Sequence, residues 1–270
     1  MIEARILGCG SSGGVPRLGG PDGTGNWGVC DPDNPKNRRS RCSLLVSSKN
    51  DQGATNVLVD TSPDMRQQLL DARVTNLDGV LITHGHADQL HGMDDLRVLT
   101  IKNHARIDVW FDRTTKADVM QKFGYCYVQA PGSDYPPILN AHEIAEPFAE
   151  FAIAGAGGAI PVRAFGQRHG TIRSLGFRFG NLAYSPDVHD LDEAALAALE
   201  GVECWIVDAL RRTPHPSHFH LERTLEWVGK VSPRRAILTN MHVDMDYQTL
   251  VRELPPGVEP GYDGMTVTLG

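Results

Sequence analysis

Short apolar runs bounded by glycine, proline and small polar residues dominate the chain. Residues 2–7 read as a strand, residues 8–41 as a glycine-rich loop and residues 42–47 as a second strand. A loop of that length is uncommon in a compact domain and often carries function. The run Val57-Leu58-Val59 ends in Asp60, and Ser62-Pro63 supplies an N-cap and first helical position for a helix over 65–72. Residues 79–83 form a short buried strand that runs straight into a group of histidines. Further strands are expected at 107–111, 162–165, 175–179, 204–207 and 236–238, with helices at 191–199 and 221–228. Residues 177–184 pattern as a hairpin, which favours a mixed, layered α/β arrangement over a purely parallel sheet. With no internal repeat, low-complexity tract or clear linker, the reading is a single domain over residues 1–270.

Composition narrows the setting. The formal net charge of -7 argues against electrostatic capture of nucleic acid, which needs clustered Lys and Arg. Charges interrupt the first seven residues and no long uncharged apolar run follows, so neither export nor membrane insertion is expected. Cys9, Cys30, Cys42, Cys126 and Cys204 form an odd, dispersed set that suits reduced thiols in the cytoplasm.

The chemistry concentrates in Thr83-His84-Gly85-His86-Ala87-Asp88-Gln89-Leu90-His91. Histidines two apart in extended backbone point the same way, and imidazole with carboxylate suits zinc or a similar ion. Such a site needs more ligands, and His169, Asp187 and His242 each follow an apolar segment that reads as a strand. The glycines from Gly8 to Gly13 match a dinucleotide fingerprint but open no helix, so no nucleotide cofactor is expected.

In this order the motifs resemble the metallo-β-lactamase-fold hydrolases, from Asp60 through His84, His86 and Asp88 to His169, Asp187 and His242. The resemblance implies an αββα sandwich with mixed sheets and two divalent metal ions, zinc and/or manganese. It places His84, His86 and His169 on the first metal, Asp88 and His242 on the second, Asp187 between them and Asp60 behind the ligands. Gln89 stands where the family has a histidine, which weakens the second position; His91 lies beyond the motif and reads as an outward helical residue.

The stretch Gly8 to Pro16, Cys30, the segment 36–43, Ser62-Pro63-Asp64 and Asp94-Asp95-Leu96-Arg97 look like the phosphonate-pathway cyclic phosphodiesterase branch. The chain also resembles the B protein of pyrroloquinoline quinone biosynthesis. Both relatives carry a structural zinc loop, but Cys30 lacks the neighbouring cysteines, so that zinc is not carried over. Arg38, Arg39 and Arg41 are candidates for a substrate phosphate. His220 matches the histidine that phosphodiesterase members use as general acid, while His215 and His218 read as loop residues able to contact substrate. The expected activity is hydrolysis of a small phosphodiester, cyclic esters included, by metal-bound hydroxide, with Asp88 and His220 catalytic, in a protein compatible with a homodimer. Rival readings are an RNA-processing endonuclease, a lactone or thioester hydrolase, and a non-catalytic biosynthetic accessory protein.

Overall fold

A computed structural model describes the chain from residue 2 to residue 269, and its backbone divides into two compact units. The first comprises, of the described residues, 2–5, 43–161 and 266–269. Its strands are β1 (Ile2–Gly8, which leaves the unit after Arg5), β2 (Ser43–Asn50), β3 (Gly53–Val59), β4 (Gly79–Leu81), β5 (Ile107–Phe111), β6 (Leu139–Glu143) and β14 (Thr266–Leu269), with a short β7 (Phe151–Ile153). All of these except β7 form one sheet in the order β14-β1-β2-β3-β4-β5-β6. β14 and β1 pair antiparallel, as do β2 and β3, whereas β3 to β6 run parallel. The helices are α1 (Met65–Asp71), α2 (Ala87–Leu90), α3 (Leu96–Asn103) and α4 (Arg113–Phe123).

The second unit comprises Ile6–Cys42 and Val162–Met265. It carries β8 (Ile160–His169), β9 (Ile172–Phe179), β10 (Leu182–Ser185), β11 (Cys204–Asp208), β12 (Arg235–Thr239) and β13 (Val258–Pro260), ordered β13-β12-β11-β10-β9-β8. β8, β9 and β10 pair antiparallel, and β10 to β13 run parallel. The expected hairpin is present, with Leu182 opposite Phe179. Its helices are α5 (Glu193–Leu199), α6 (Leu221–Val231) and α7 (Tyr247–Glu253).

Both units bury segments of their central parallel strands. Val57, Leu58 and Val59 are 0% exposed, as are Ile206 and Val207 in the other unit. Polar caps start the helices: Asp112, Asp192 and Asp246 each accept the backbone N–H three residues on. One capping expectation is corrected. α1 begins at Met65 with Asp64 at its N-cap, and Ser62 Oγ instead accepts from Asp64 N, so the turn between β3 and α1 is two residues longer.

The long loop after β1 has a definite structural task within the second unit. Asp263 accepts from Cys9 N at 3.0 Å and from Ser40 N and Oγ at 2.7 Å each, which ties both ends of the loop to one carboxylate. Val29 N donates to Val243 O, and Arg39 Nη2 donates to Met245 O at 2.7 Å. A Cβ on Gly28 would stand 2.4 Å from Val243 O, and its φ of +58° already disfavours a side chain. The loop therefore cradles residues 241–247, the segment that carries His242. All five cysteines are buried and free.

Candidate metal centre

In the first unit, Asp60 follows β3 with a φ of 65°, a conformation that costs a non-glycine residue on the order of 1–3 kcal/mol. Burial of Val57, Leu58 and Val59, roughly 1.5–3 kcal/mol each, outweighs that strain. The bend aims the Asp60 carboxylate at Thr83, whose N and Oγ1 donate to it at 2.8 and 3.0 Å. Burial pushes the Asp60 carboxyl well above the usual range, against these hydrogen bonds.

Because the Thr83 hydroxyl proton goes to Asp60, its oxygen accepts from His84 Nδ1, 3.0 Å away. This leaves His84 Nε2 as a lone-pair donor, 3.0 Å from His86 Nδ1. Two nitrogens bound to one tetrahedral zinc stand roughly 3.3 Å apart, so the pair is spaced to grip a single ion. Gly85 between them is held from α4: Lys122 Nζ donates to Gly85 O at 2.6 Å, and a Cβ there would stand 2.3 Å from Asp118 Oδ2. Asp88 sits in the first turn of α2 and is half-buried; Gln89 is 0% exposed. His91 caps α2, exposed, with its ring 5.8 Å from Phe123.

In the second unit, His169 at the end of β8 and Asp187 beyond β10 meet His218 from the loop before α6. Each offers a ligand atom, and these atoms lie within 4.8 Å of one another. His169 Nδ1 donates to Ser217 O at 2.7 Å, which makes Nε2 the unprotonated nitrogen of the neutral ring. His218 Nδ1 donates to Asp208 Oδ2 at 2.7 Å, and the His169 and His218 rings meet edge-on, 4.5 Å between centroids. Asp208 closes β11 and is 0% exposed; burial raises its carboxyl to about 6, with His218 working in the opposite direction. Asn240, at φ 60° after β12, donates to Pro186 O at 2.8 Å and to Asp187 Oδ1 at 3.3 Å. His242 stands outside this cluster, 3.3 Å from Asp244, and burial lowers its pKa, which keeps the imidazole neutral. His220 is the N-cap of α6, half-buried, and its side chain makes no cap hydrogen bond.

Asp208 and Asn240 were not singled out from sequence, and His218 was read there only as a loop residue able to contact substrate. Asp208 had a readable signal, since an apolar run ending in a carboxylate also marks Asp60. One expectation is corrected: Arg39 is 1% exposed, and its guanidinium is spent on Met245 O and Asn37 Oδ1, so it is a structural strut and not a phosphate ligand. Arg38 is exposed over the Trp27 ring, and Arg41 Nε donates to Ser12 O.

Imidazoles with tautomers fixed by protein acceptors, together with carboxylates, are the donor set that a divalent transition ion takes. A family model for the beta-lactamase superfamily domain matches residues 55–241. The chain belongs to this superfamily. A crystal structure described as a new diphosphatase from the PhnP family shares 27% identity at a TM-score of 0.85, covering 100% of this chain and 98% of that one. Zinc-bound PqqB from Methylobacterium extorquens matches in fold at 17% identity and a TM-score of 0.76, over 99% of this chain and all of that one. A curated octanoyltransferase of Porphyromonas gingivalis is 31% identical over 98% of this chain. The chain spans about half of that relative, 51% of its length. The fold is thus the metallo-β-lactamase type with two mixed sheets, and that fold implies divalent-metal binding. Among the described residues no helix is long and apolar enough to cross a membrane.

Proposed function

We propose that this protein hydrolyses a small phosphodiester, cyclic esters included, as one metallo-hydrolase domain over residues 1–270 working in the reducing cytoplasm. The observation that carries this reading is the cluster of His169, Asp187 and His218, with the buried Asp208 behind His218. Ligands alone would suit any metal site. An imidazole beside them, oriented by a carboxylate, is what cleavage of an ester with a poor leaving group requires.

In this proposal His84, His86 and His169 hold one ion, Asp88 and His242 a second, and Asp187 serves both. Gln89 weakens the second position, where manganese fits an amide oxygen better than zinc does. When bound, the ions lower the pKa of water and offset charge on the phosphate oxygens. Asp60 fixes His84 through Thr83, and Asp208 fixes the tautomer and orientation of His218. We assign proton delivery to the leaving alkoxide to His218, because the carboxylate contact is made by His218, and keep His220 as the competing candidate. Arg38 and Arg41 remain the candidates for outer phosphate contacts.

Chelation should abolish turnover of bis(4-nitrophenyl) phosphate and of a 2′,3′-cyclic nucleotide, and elemental analysis should find divalent metal. Unchanged activity in extensively chelated protein would sink the proposal. A second reading, thioester or lactone hydrolysis, draws on the likeness to half of an octanoyltransferase. Octanoyl thioesters and lactones in the same panel separate the two: preferential turnover of either selects the second reading.

A further inference from the structure

Within the first unit, apart from the ligand residues, lies a cavity of about 360 Å³ lined by Arg97, Tyr125, Ala130, Ser133, Tyr135 and Pro136. That volume falls in the lower range of small-molecule sites. Its floor is built: Ile138 N donates to Cys126 O at 2.8 Å, which closes residues 127–137 into a loop with joined ends, and Ser133 N donates to Ala130 O within the loop. Tyr135 in this loop is 77% exposed, and Tyr125, also in the lining, is 51% exposed. The hydroxyl of Tyr125 is engaged by Asp94, and the exposed parts of the two rings offer flat apolar faces to a partner ring.

Arg97 supplies the polar element. Its Nη2 donates to Asp94 Oδ1 at 2.7 Å, and Asp94 also takes the Cys126 thiol at 3.7 Å. The charge of Arg97 is therefore largely offset, and the guanidinium, which has five N–H donors, acts as a fork for neutral acceptors. The cavity joins the metal motif through aromatic contacts: His91 at the end of α2 meets Phe123 at 5.8 Å, and Phe123 meets Tyr125 at 6.5 Å.

We infer that this cavity binds a planar ring bearing carbonyl oxygens, a nucleobase-like group that stacks on Tyr125 and Tyr135 and accepts from Arg97. It holds the part of the substrate remote from the scissile bond, which rests on the phosphodiesterase reading above. Two esters with the same leaving group test it. The 4-nitrophenyl ester of thymidine 5′-monophosphate carries such a ring, and methyl 4-nitrophenyl phosphate carries none. With the metal-loaded protein, kcat/KM should favour the thymidine ester by about fivefold or more, the scale of one base stacking on an aromatic side chain. Tyr125→Ala, Tyr135→Ala and Arg97→Gln should each pull that ratio towards one, chiefly by raising KM for the thymidine ester. A ratio near one in the unmodified protein, or one unmoved by all three substitutions, overturns the inference. Turnover of neither ester would defeat the phosphodiesterase reading by itself. The cavity is then read directly, by NMR titration of chelator-treated protein with thymidine and thermal melts to verify folding. Saturable binding weakened in the folded variants supports the inference, and no saturable binding in the unmodified protein overturns it.

Discussion

In the first unit the candidate ligands come from residues 84 to 88, a single turn of chain after β4, whereas in the second the clustered residues are 169, 187 and 218, brought together from two strand ends and the loop before α6. Both units nevertheless use one device. A non-glycine residue with positive φ, Asp60 after β3 and Asn240 after β12, turns its side chain back to hold the ligand-bearing segment. The contiguous arrangement needs only a loop of the right shape, held by Thr83 and Lys122. The dispersed one depends on the register of a whole sheet and on buried carboxylates, and so is the more sensitive to single changes in its supports.

The largest effect should fall on the dispersed side. His218→Ala should slow esters with poor leaving groups by about 10²- to 10⁴-fold while sparing activated aryl esters, the range and selectivity of a general acid. His220→Ala should cost less than about tenfold on either substrate, since that side chain has no comparable carboxylate behind it. Steady-state kinetics on both variants decides the matter: a larger, leaving-group-dependent loss in His220→Ala would return the role to His220.

Asp208→Asn should cost about 10- to 100-fold, as loss of an orienting partner typically does. It should also change how stability depends on pH. Burial holds the Asp208 carboxyl at about 6 in the folded chain, above its ordinary value of 3.8. The folded state therefore binds this proton more tightly than the unfolded state, and stability from this group, full at low pH, is lost as pH rises between those values. Urea unfolding of chelator-treated protein at pH 4, 5 and 6 should show a flatter profile in the variant. An identical slope would remove the buried-carboxylate argument.

Much of the contiguous half was legible in the sequence, because period-two histidines directly after a buried strand have few packing explanations. The β-strand positions were legible for the same reason: runs such as 79–83 and 204–207 are apolar on both faces. In the dispersed half, His169 and Asp187 were legible as polar residues that follow apolar runs, and the resemblance supplied their expected roles. His218 lies among three histidines within six residues, and nothing local says which of them meets His169; the contacts of His169 with Ser217 O and of His218 with Asp208 decide that. α3 and α4 escaped notice because each buries little, Leu96 and Thr100 in one and Thr115 and Val119 in the other, so neither shows a wide apolar stripe. Arg39 misled because a basic loop looks like a phosphate site until its carbonyl partner is seen.

A smaller effect is expected at Gln89, where the two positions of the proposed centre are unequal. Gln89→His restores an imidazole on α2 and should tighten the weaker metal site by roughly tenfold, the advantage of nitrogen over an amide oxygen for zinc. Calorimetric titration of chelated protein should resolve two affinities before the change and a narrower gap after it. Equal, tight binding of two zinc ions without the substitution would show that another group fills the role.

The smallest effect tests whether the contiguous half is as self-contained as it looks. Lys122 reaches from α4 to donate to Gly85 O, the one carbonyl between His84 and His86, and Asp118 one turn earlier leaves no room for a Cβ there. A hydrogen bond from a charged donor contributes about 1.5–3 kcal/mol, but this one is only partly buried, so the lower end applies. Lys122→Met keeps the aliphatic packing and removes the donor. Zinc affinity should fall by a few-fold, about 1 kcal/mol, because the loop between the two imidazoles relaxes when the ion is absent and must be reordered on binding. Gly85→Ala acts on the same contact from the other side and should lose more. Adding Asp118→Ala to it should recover part of the loss, a coupling that competition with a chromophoric chelator can measure. Strict additivity of Gly85→Ala and Asp118→Ala would mean that α4 does not set the spacing of the histidine pair, and the loop would then owe its shape to Asp60 and Thr83 alone.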